Sequence, residues 1–145
     1  MHHLEAALTL TGESVGDHDL YAMLADVARR QRDTAALRQY APLAEESAAR
    51  YNHRLYQAIA HRARGVAHTL AGEFDAAEAR LDQARALFGA LDTRWQIGRT
   101  HVELGELARA RADSAAARGH FSRALTEFEQ LGAAPDAART RAALT

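Results

Sequence analysis

The sequence predicts an all-α fold, a solenoid of helix pairs, and three observations carry that expectation. The stretch from Gly65 to Leu91 recurs from Gly105 to Leu131 at a constant offset of 40 residues without a gap, matching Gly65 to Gly105, Ala77 to Ala117, Leu81 to Phe121, Ala84 to Ala124, Phe88 to Phe128 and Leu91 to Leu131. Apolar residues make up 48% of the chain but aromatics only 6%, and alanine supplies about one residue in four, a composition suited to closely packed helices. Only two prolines, Pro42 and Pro135, and few β-branched runs argue against a sheet. At 145 residues the chain fits one folding unit, residues 1–145, with an incomplete repeat at each end.

Residues 1–11 place Leu4, Ala7, Leu8 and Thr11 at helical spacing before a left-handed stop at Gly12, so the chain is expected to begin inside a repeat. His2 and His3 are compatible with a native start or with an added tag. The next helix opens at Gly16-Asp17 and reads to about Gln31, with Tyr21, Leu24, Ala25 and Ala28 on one face. Asp33 and Thr34 are suited to accept hydrogen bonds from the first amides of a helix reaching about Tyr51, whose apolar line is Leu37, Ala41, Ala44 and Ala48. Pro42 lies inside that helix and predicts a kink or local irregularity. Asn52 is the expected cap of a helix over 53–71, with Leu55, Ala58, His61, Gly65 and His68 on its packed side. Gly72 ends it. Residues 73–90 form its partner, with Phe74, Ala77, Leu81, Ala84, Phe88 and Leu91 inward. Asp92-Thr93 caps a helix from Arg94 to about Arg111 with Trp95, Gly98, His101, Leu104, Gly105 and Ala108 on its packed face. Asp113-Ser114 caps the next, which reaches Gln130 and stops at Gly132. Pro135 suits the first residue of a last helix, where its missing amide hydrogen has no bond to make.

Small residues set the packing. Antiparallel helices approach to the short end of the usual range, about 8–10 Å, only where small side chains face each other, as Gly65, Gly105 and the paired alanines allow. Leu81 and Phe121, four positions after those alanines, are expected to fill the space toward the neighbouring repeat.

The net charge is −1 with both signs interspersed, which leaves no basic footprint for DNA or RNA. All 18 basic residues other than histidine are Arg, which reads as the codon bias of a GC-rich genome. Cysteine is absent, so disulfides, thiolate metal sites and thiol nucleophiles are excluded. No secretory leader or membrane-spanning run is evident, and a cytoplasmic protein without membrane contact is expected.

Gly65-Gly72-Ala77-Leu81-Ala84 resembles the tetratricopeptide repeat pattern in full. Gly105-Ala112-Ala117-Phe121-Ala124 matches with one change, and Ala25-Arg32-Leu37-Ala41-Ala44 is a degenerate third copy. The period of 40 departs from the family's, about 34. His61 and His101 stand where an aromatic is common, and the closing proline is missing. Motifs such as LGELARAR and HFSRALTEFEQLG are similar to the long-repeat helical arms of bacterial transcription regulators and signalling ATPases. The resemblance implies a right-handed superhelix of about seven helices and a non-enzymatic scaffold that binds a protein or peptide, or else a ligand-sensing regulatory arm.

By transfer of position, the resemblance lines the concave groove with Asp19, Ala22, Asp26 and Arg29, then Ile59, Arg62, Val66 and Thr69, then Arg99, Val102, Glu106 and Arg109, with Leu55 and Trp95 one turn earlier. On one reading Arg62, Arg99 and Arg109 grip carboxylates and Trp95 anchors a partner. On the other, the arginines pair internally with Asp26 and Glu106 and Trp95 is core. The asparagines of the family's chaperone-binding members are absent, which disfavours that partner.

No cofactor, metal or catalytic set is expected. His61, His68 and His101 are the best candidates for a metal, but no HExxH or comparable spacing occurs. GESVGD, residues 12–17, lacks the Lys of a phosphate loop. Glu45-Glu46 and Glu127, Glu129 read as solvated helix surface. Without an evident polar helix at either end, the terminal apolar faces are expected to pair between copies as a homodimer.

Overall fold

The computed structural model describes residues 17–145. The helix expected over residues 1–11, the stop at Gly12, and His2 and His3 lie outside them. Every regular element among the described residues is helical: α1 (Asp17–Gln31), α2 (Thr34–Arg50), α3 (Arg54–Leu70), α4 (Phe74–Ala90), α5 (Arg94–Ala110), α6 (Ser114–Leu131) and α7 (Ala134–Leu144). Consecutive helices pack as antiparallel neighbours, so the chain is an all-α helical repeat.

The backbone repeats at half the period of the sequence. Helices α2 to α7 start 20 residues apart, and two residues before each start stands one left-handed residue: Arg32, Asn52, Gly72, Asp92, Ala112 and Gly132. All six turns close alike. The Arg32 amide donates to the Arg29 carbonyl and the Asp33 amide to the Ala28 carbonyl, and the second bond recurs from His53 to Ala48, Glu73 to His68, Thr93 to Phe88, Asp113 to Ala108 and Ala133 to Phe128. This is the Schellman end of a helix, and the residue after the left-handed one serves as N-cap of the next helix. Asp33 and Asp113 cap as expected, their carboxylates accepting from the amides of Ala36 and Ala116. Asn52 does not. It takes the left-handed position that Asn tolerates, and His53 Nδ1 accepts from the Tyr56 amide instead. Asp92 is likewise left-handed, and Thr93 turns its hydroxyl back to the Phe88 carbonyl rather than to the helix it precedes. Helix α2 continues through Pro42, which is exposed, without the break the sequence suggested.

Glycine notches join the pairs. A Cβ on Gly65 would lie 2.7 Å from Leu81 Cδ2 and 3.3 Å from the Ala77 carbonyl oxygen, and one on Gly105 would lie 2.7 Å from Phe121 Cε1. Leu81 and Phe121 thus fill notches within their own pairs, a role additional to the one expected of them toward the next repeat. They reach that repeat as well: Leu81 clusters with Leu104 and Leu107, and Phe121 packs against Ala143 and Leu144. Gly98 receives Phe128 in the same way. The expected inward residues Ala77, Ala84, Phe88, Ala117, Ala124 and Phe128 are buried, but Leu91 and Trp95 are exposed, because they lie at the C-cap of α4 and in the first turn of α5, beyond the helix crossing.

The stack is curved. First helices of successive pairs touch each other, α1 with α3 and α3 with α5, whereas α2 and α4 meet through long side chains, Arg80 reaching Glu45. The crowded layer of α1, α3 and α5 is therefore the concave side, and side chains of α5 reach α7 along it.

Candidate binding groove

The positions expected to line a groove divide into two groups. Asp26, Arg29 and Arg62 form a closed ion network. Arg62 has no exposed surface: its Nη2 donates to Asp26 Oδ1 at 3.2 Å, its Nη1 to the Gln96 carbonyl at 3.3 Å, and its guanidinium carbon lies 4.9 Å from the Phe88 ring centroid. Arg29 donates from Nε to Asp26 at 2.9 Å and from Nη1 to Glu103 at 2.5 Å, which ties α1 to α5 across 74 residues. Arg32 approaches Glu103 at 2.8 Å. Arg62 is thus no hook for a partner's carboxylate, because it is fully buried and Asp26 already holds it. Val66 and Ile59 are buried, Ala22 packs with Ala58 and Phe88, and Leu55 borders that cluster. The Thr69 hydroxyl donates to the Gly65 carbonyl, and Asp19 hydrogen-bonds with Tyr56.

The second group is accessible. Trp95 is 40% exposed, not core, and its Nε1 donates to Asp136 Oδ2 at 2.8 Å. The Arg99 guanidinium carbon sits 3.7 Å from the Trp95 ring centroid. Val102, Glu106 and Arg109 follow along α5, with Arg109 donating to the Ala143 carbonyl at 3.2 Å and lying 3.6 Å from Glu106. A half-open pocket of about 510 Å³ lies between the last turn of α1, the middle of α5 and α7, and Arg29, Arg99, Val102 and Glu106 line it.

Arg30, Arg32, Glu103, Asp136 and Arg139 also line this pocket and were not among the expected site residues. One signal was available. Adding the 40-residue offset to Arg99 gives Arg139, so the last helix continues the series. Glu103 lies one turn beyond Arg99 but outside the transferred positions. Arg30 and Arg32 come into reach because the stack curls α1 toward α7.

The charges act on one another strongly. Burial alone would raise the Asp26 carboxyl, but Arg29, Arg62 and Arg99 outweigh it and hold the pKa down at about 2. Burial, reinforced by Arg29, pushes Arg62 down to about 9, which leaves it protonated at neutral pH. Burial opposes the charge on Arg29, yet Glu103 and Asp26 more than compensate and raise it. Arg99 is lowered by burial and by Arg29, with partial relief from Asp136 and Asp26.

The three histidines weighed for metal binding do not converge. His61 contacts Arg80, His68 contacts Glu73 and His101 meets His120 Nδ1 to Nδ1 at 3.3 Å, since the packing spreads them over separate neighbours. Among the described residues no group of three metal-capable side chains occurs. Glu45, Glu46, Glu127 and Glu129 pair with arginines at helix surfaces. No helix of the described residues is long and apolar enough to cross a membrane.

Compared with protein-family models, curated proteins and solved structures, the chain matches none of them.

Proposed function

We propose that the chain is a tetratricopeptide-like binding module whose concave face receives a segment of another protein. The observation that supports it most is the pairing of Trp95 and Arg99 at the accessible edge of the concave pocket: a 40% exposed indole, stacked on a guanidinium and oriented by Asp136. Exposed aromatic and arginine side chains held in one geometry lose little entropy on binding and are frequent anchors of partners. The test is capture of partners by the full chain, followed by titration of each identified partner into wild type, Trp95→Ala and Arg99→Glu. Weakening by both variants with helix content intact supports the reading. Affinities equal to wild type would overturn the assignment of the groove.

A ligand-sensing regulatory arm is the second reading, favoured by the pocket itself, whose volume lies within the usual range for small-molecule sites, about 300–1,000 Å³. A homodimer through the repeat ends has less support at the C-terminal end, where α7 exposes alanines, Arg139 and Arg141 but no large apolar residue. Light scattering over a concentration series tests it, and a stable monomer at the highest concentration would reject it.

A further inference from the structure

We propose that the pocket between α1, α5 and α7 binds a small organic anion with an acidic head and an apolar body. This rests on the concave face being the binding face, though not on the partner being a protein.

The sign of the pocket is positive. Five arginines line it against three carboxylates, Glu103, Glu106 and Asp136. Several of those cations retain unused bonding capacity. Arg29 is only 4% exposed, and its Nη2 has no hydrogen-bond partner among the described residues although Nε and Nη1 are both engaged. Arg99 is held face-on by Trp95, but its nearest carboxylate oxygens, on Asp26 and Asp136, lie 3.8 and 3.9 Å away, beyond hydrogen-bond length. Arg30 is exposed and has no carboxylate partner among the described residues. An unpaired buried donor and a half-desolvated cation both cost stability, and an incoming acid offsets both costs. Apolar side chains share the lining, the half-buried Val27 and Val102 beside the buried rings of Phe121 and Phe128. A bare inorganic oxyanion leaves Val27 and Val102 uncovered, whereas a carboxylate on a short alkyl or aryl body meets both the cations and these apolar side chains.

Trp95, the chain's single tryptophan, stacks on Arg99 and provides an optical reporter. Octanoate, succinate and inorganic phosphate are titrated separately into the full chain, with Trp95 emission and calorimetry followed together. Saturable one-to-one binding of octanoate, tighter than that of phosphate or succinate, is expected. Arg99→Gln and Arg30→Gln should each weaken it by about tenfold or more, since each removes a charge-assisted contact. Arg118→Gln, on the exposed face of α6, should leave it unchanged. Arg30 is exposed, so its variant keeps the fold even if Arg99→Gln loosens it. Absence of saturable octanoate binding, undiminished affinity in Arg30→Gln, or phosphate binding as tight as octanoate would each overturn the proposal. Octanoate binding without any captured protein removes the scaffold reading alone, and captured protein without octanoate binding removes this one alone.

Discussion

At the scale of single residues, the interior carries charges and imidazoles that make stability depend on pH in two separate windows. His101 is 2% exposed, and burial, Arg123, His120 and Arg85 hold its pKa at about 4 against an ordinary value of 6.5. Between those values the unfolded chain binds a proton that the folded chain refuses, so stability is complete above the upper value and falls as pH drops toward the lower. The slope from His101 should approach about 1 kcal/mol per pH unit. His101→Phe, which cannot take the proton, should make urea midpoints measured from pH 7 to 5 fall less steeply, and His61 and His120, also lowered by burial, account for the remainder. Asp26 acts lower down. Its carboxyl ionises at about 2 in the fold against 3.8 ordinarily, so its contribution is present above 3.8 and is lost as pH falls from there toward 2. Asp26→Asn should make the second decline shallower and leave the first. Asp136, which against burial is also held low by hydrogen bonds from Trp95 and Arg139 and by the charge of Arg99, carries the rest of that decline. A single transition shared by wild type and both variants would contradict this assignment.

At the scale of elements, the repeating unit is one helix and its turn, and the left-handed residue decides how well each turn is made. Gly72 and Gly132 take that conformation at no steric cost, but Ala112 takes it at φ 60°, where a Cβ crowds the following carbonyl. Ala112→Gly should therefore stabilise the chain by about 1 kcal/mol in denaturant unfolding, and Gly72→Ala should destabilise it by a similar amount. Helix crossings respond in the opposite sense. Ala77 is fully buried beside the Gly65 notch, and Ala77→Leu should cost about 1–3 kcal/mol through overpacking, with unchanged thermal unfolding excluding the crossing placed there. These elements were largely legible in the sequence because small and large apolar residues at fixed offsets report helix contacts directly. The 20-residue turn period was hidden because Arg32, Asn52, Asp92 and Ala112 occupy a position where glycine would have announced it. Asn52 and Asp92 read as caps for the same reason: their side chains suit both a helix start and a left-handed stop, and only the backbone distinguishes the two. The ion network was less legible, since positional transfer treats each helix of the groove as open and cannot tell that curvature brings Glu103 onto Arg29.

At the scale of the whole molecule, that same contact departs from the usual behaviour of a repeat array. In a one-dimensional stack each unit touches only its neighbours, and stability is a sum of unit and interface contributions. Here Arg29 on α1 bonds Glu103 on α5, and Arg99 on α5 lies between Asp26 on α1 and Asp136 on α7, so first helices of the first, third and last units share one set of charges. The sharing has a cost, since Arg29 Nη2 and Arg62 Nε remain unpaired, and a buried pair often contributes no more than the apolar residues that would replace it. Its effect should lie in cooperativity. A double-mutant cycle of Arg29→Met and Glu103→Met, followed by urea unfolding, separates the two contributions. Each single variant removes one of two partners of a buried charge, Arg32 remaining to Glu103 and Asp26 to Arg29, and should lose about 1.5–3 kcal/mol, whereas the double variant should lose less than the sum, giving a coupling of at least about 1 kcal/mol. Amide exchange then tells whether the coupling is structural. In the double variant α1 and α2 should open more readily than α5 and α6, because beyond α3 only the side chains of Arg80 and Arg99, reaching Glu45 and Asp26, then tie them to the stack. Coupling within about 0.5 kcal/mol of zero, or uniform exchange across all helices, would mean that the array behaves as a simple stack in which the network does not join distant repeats.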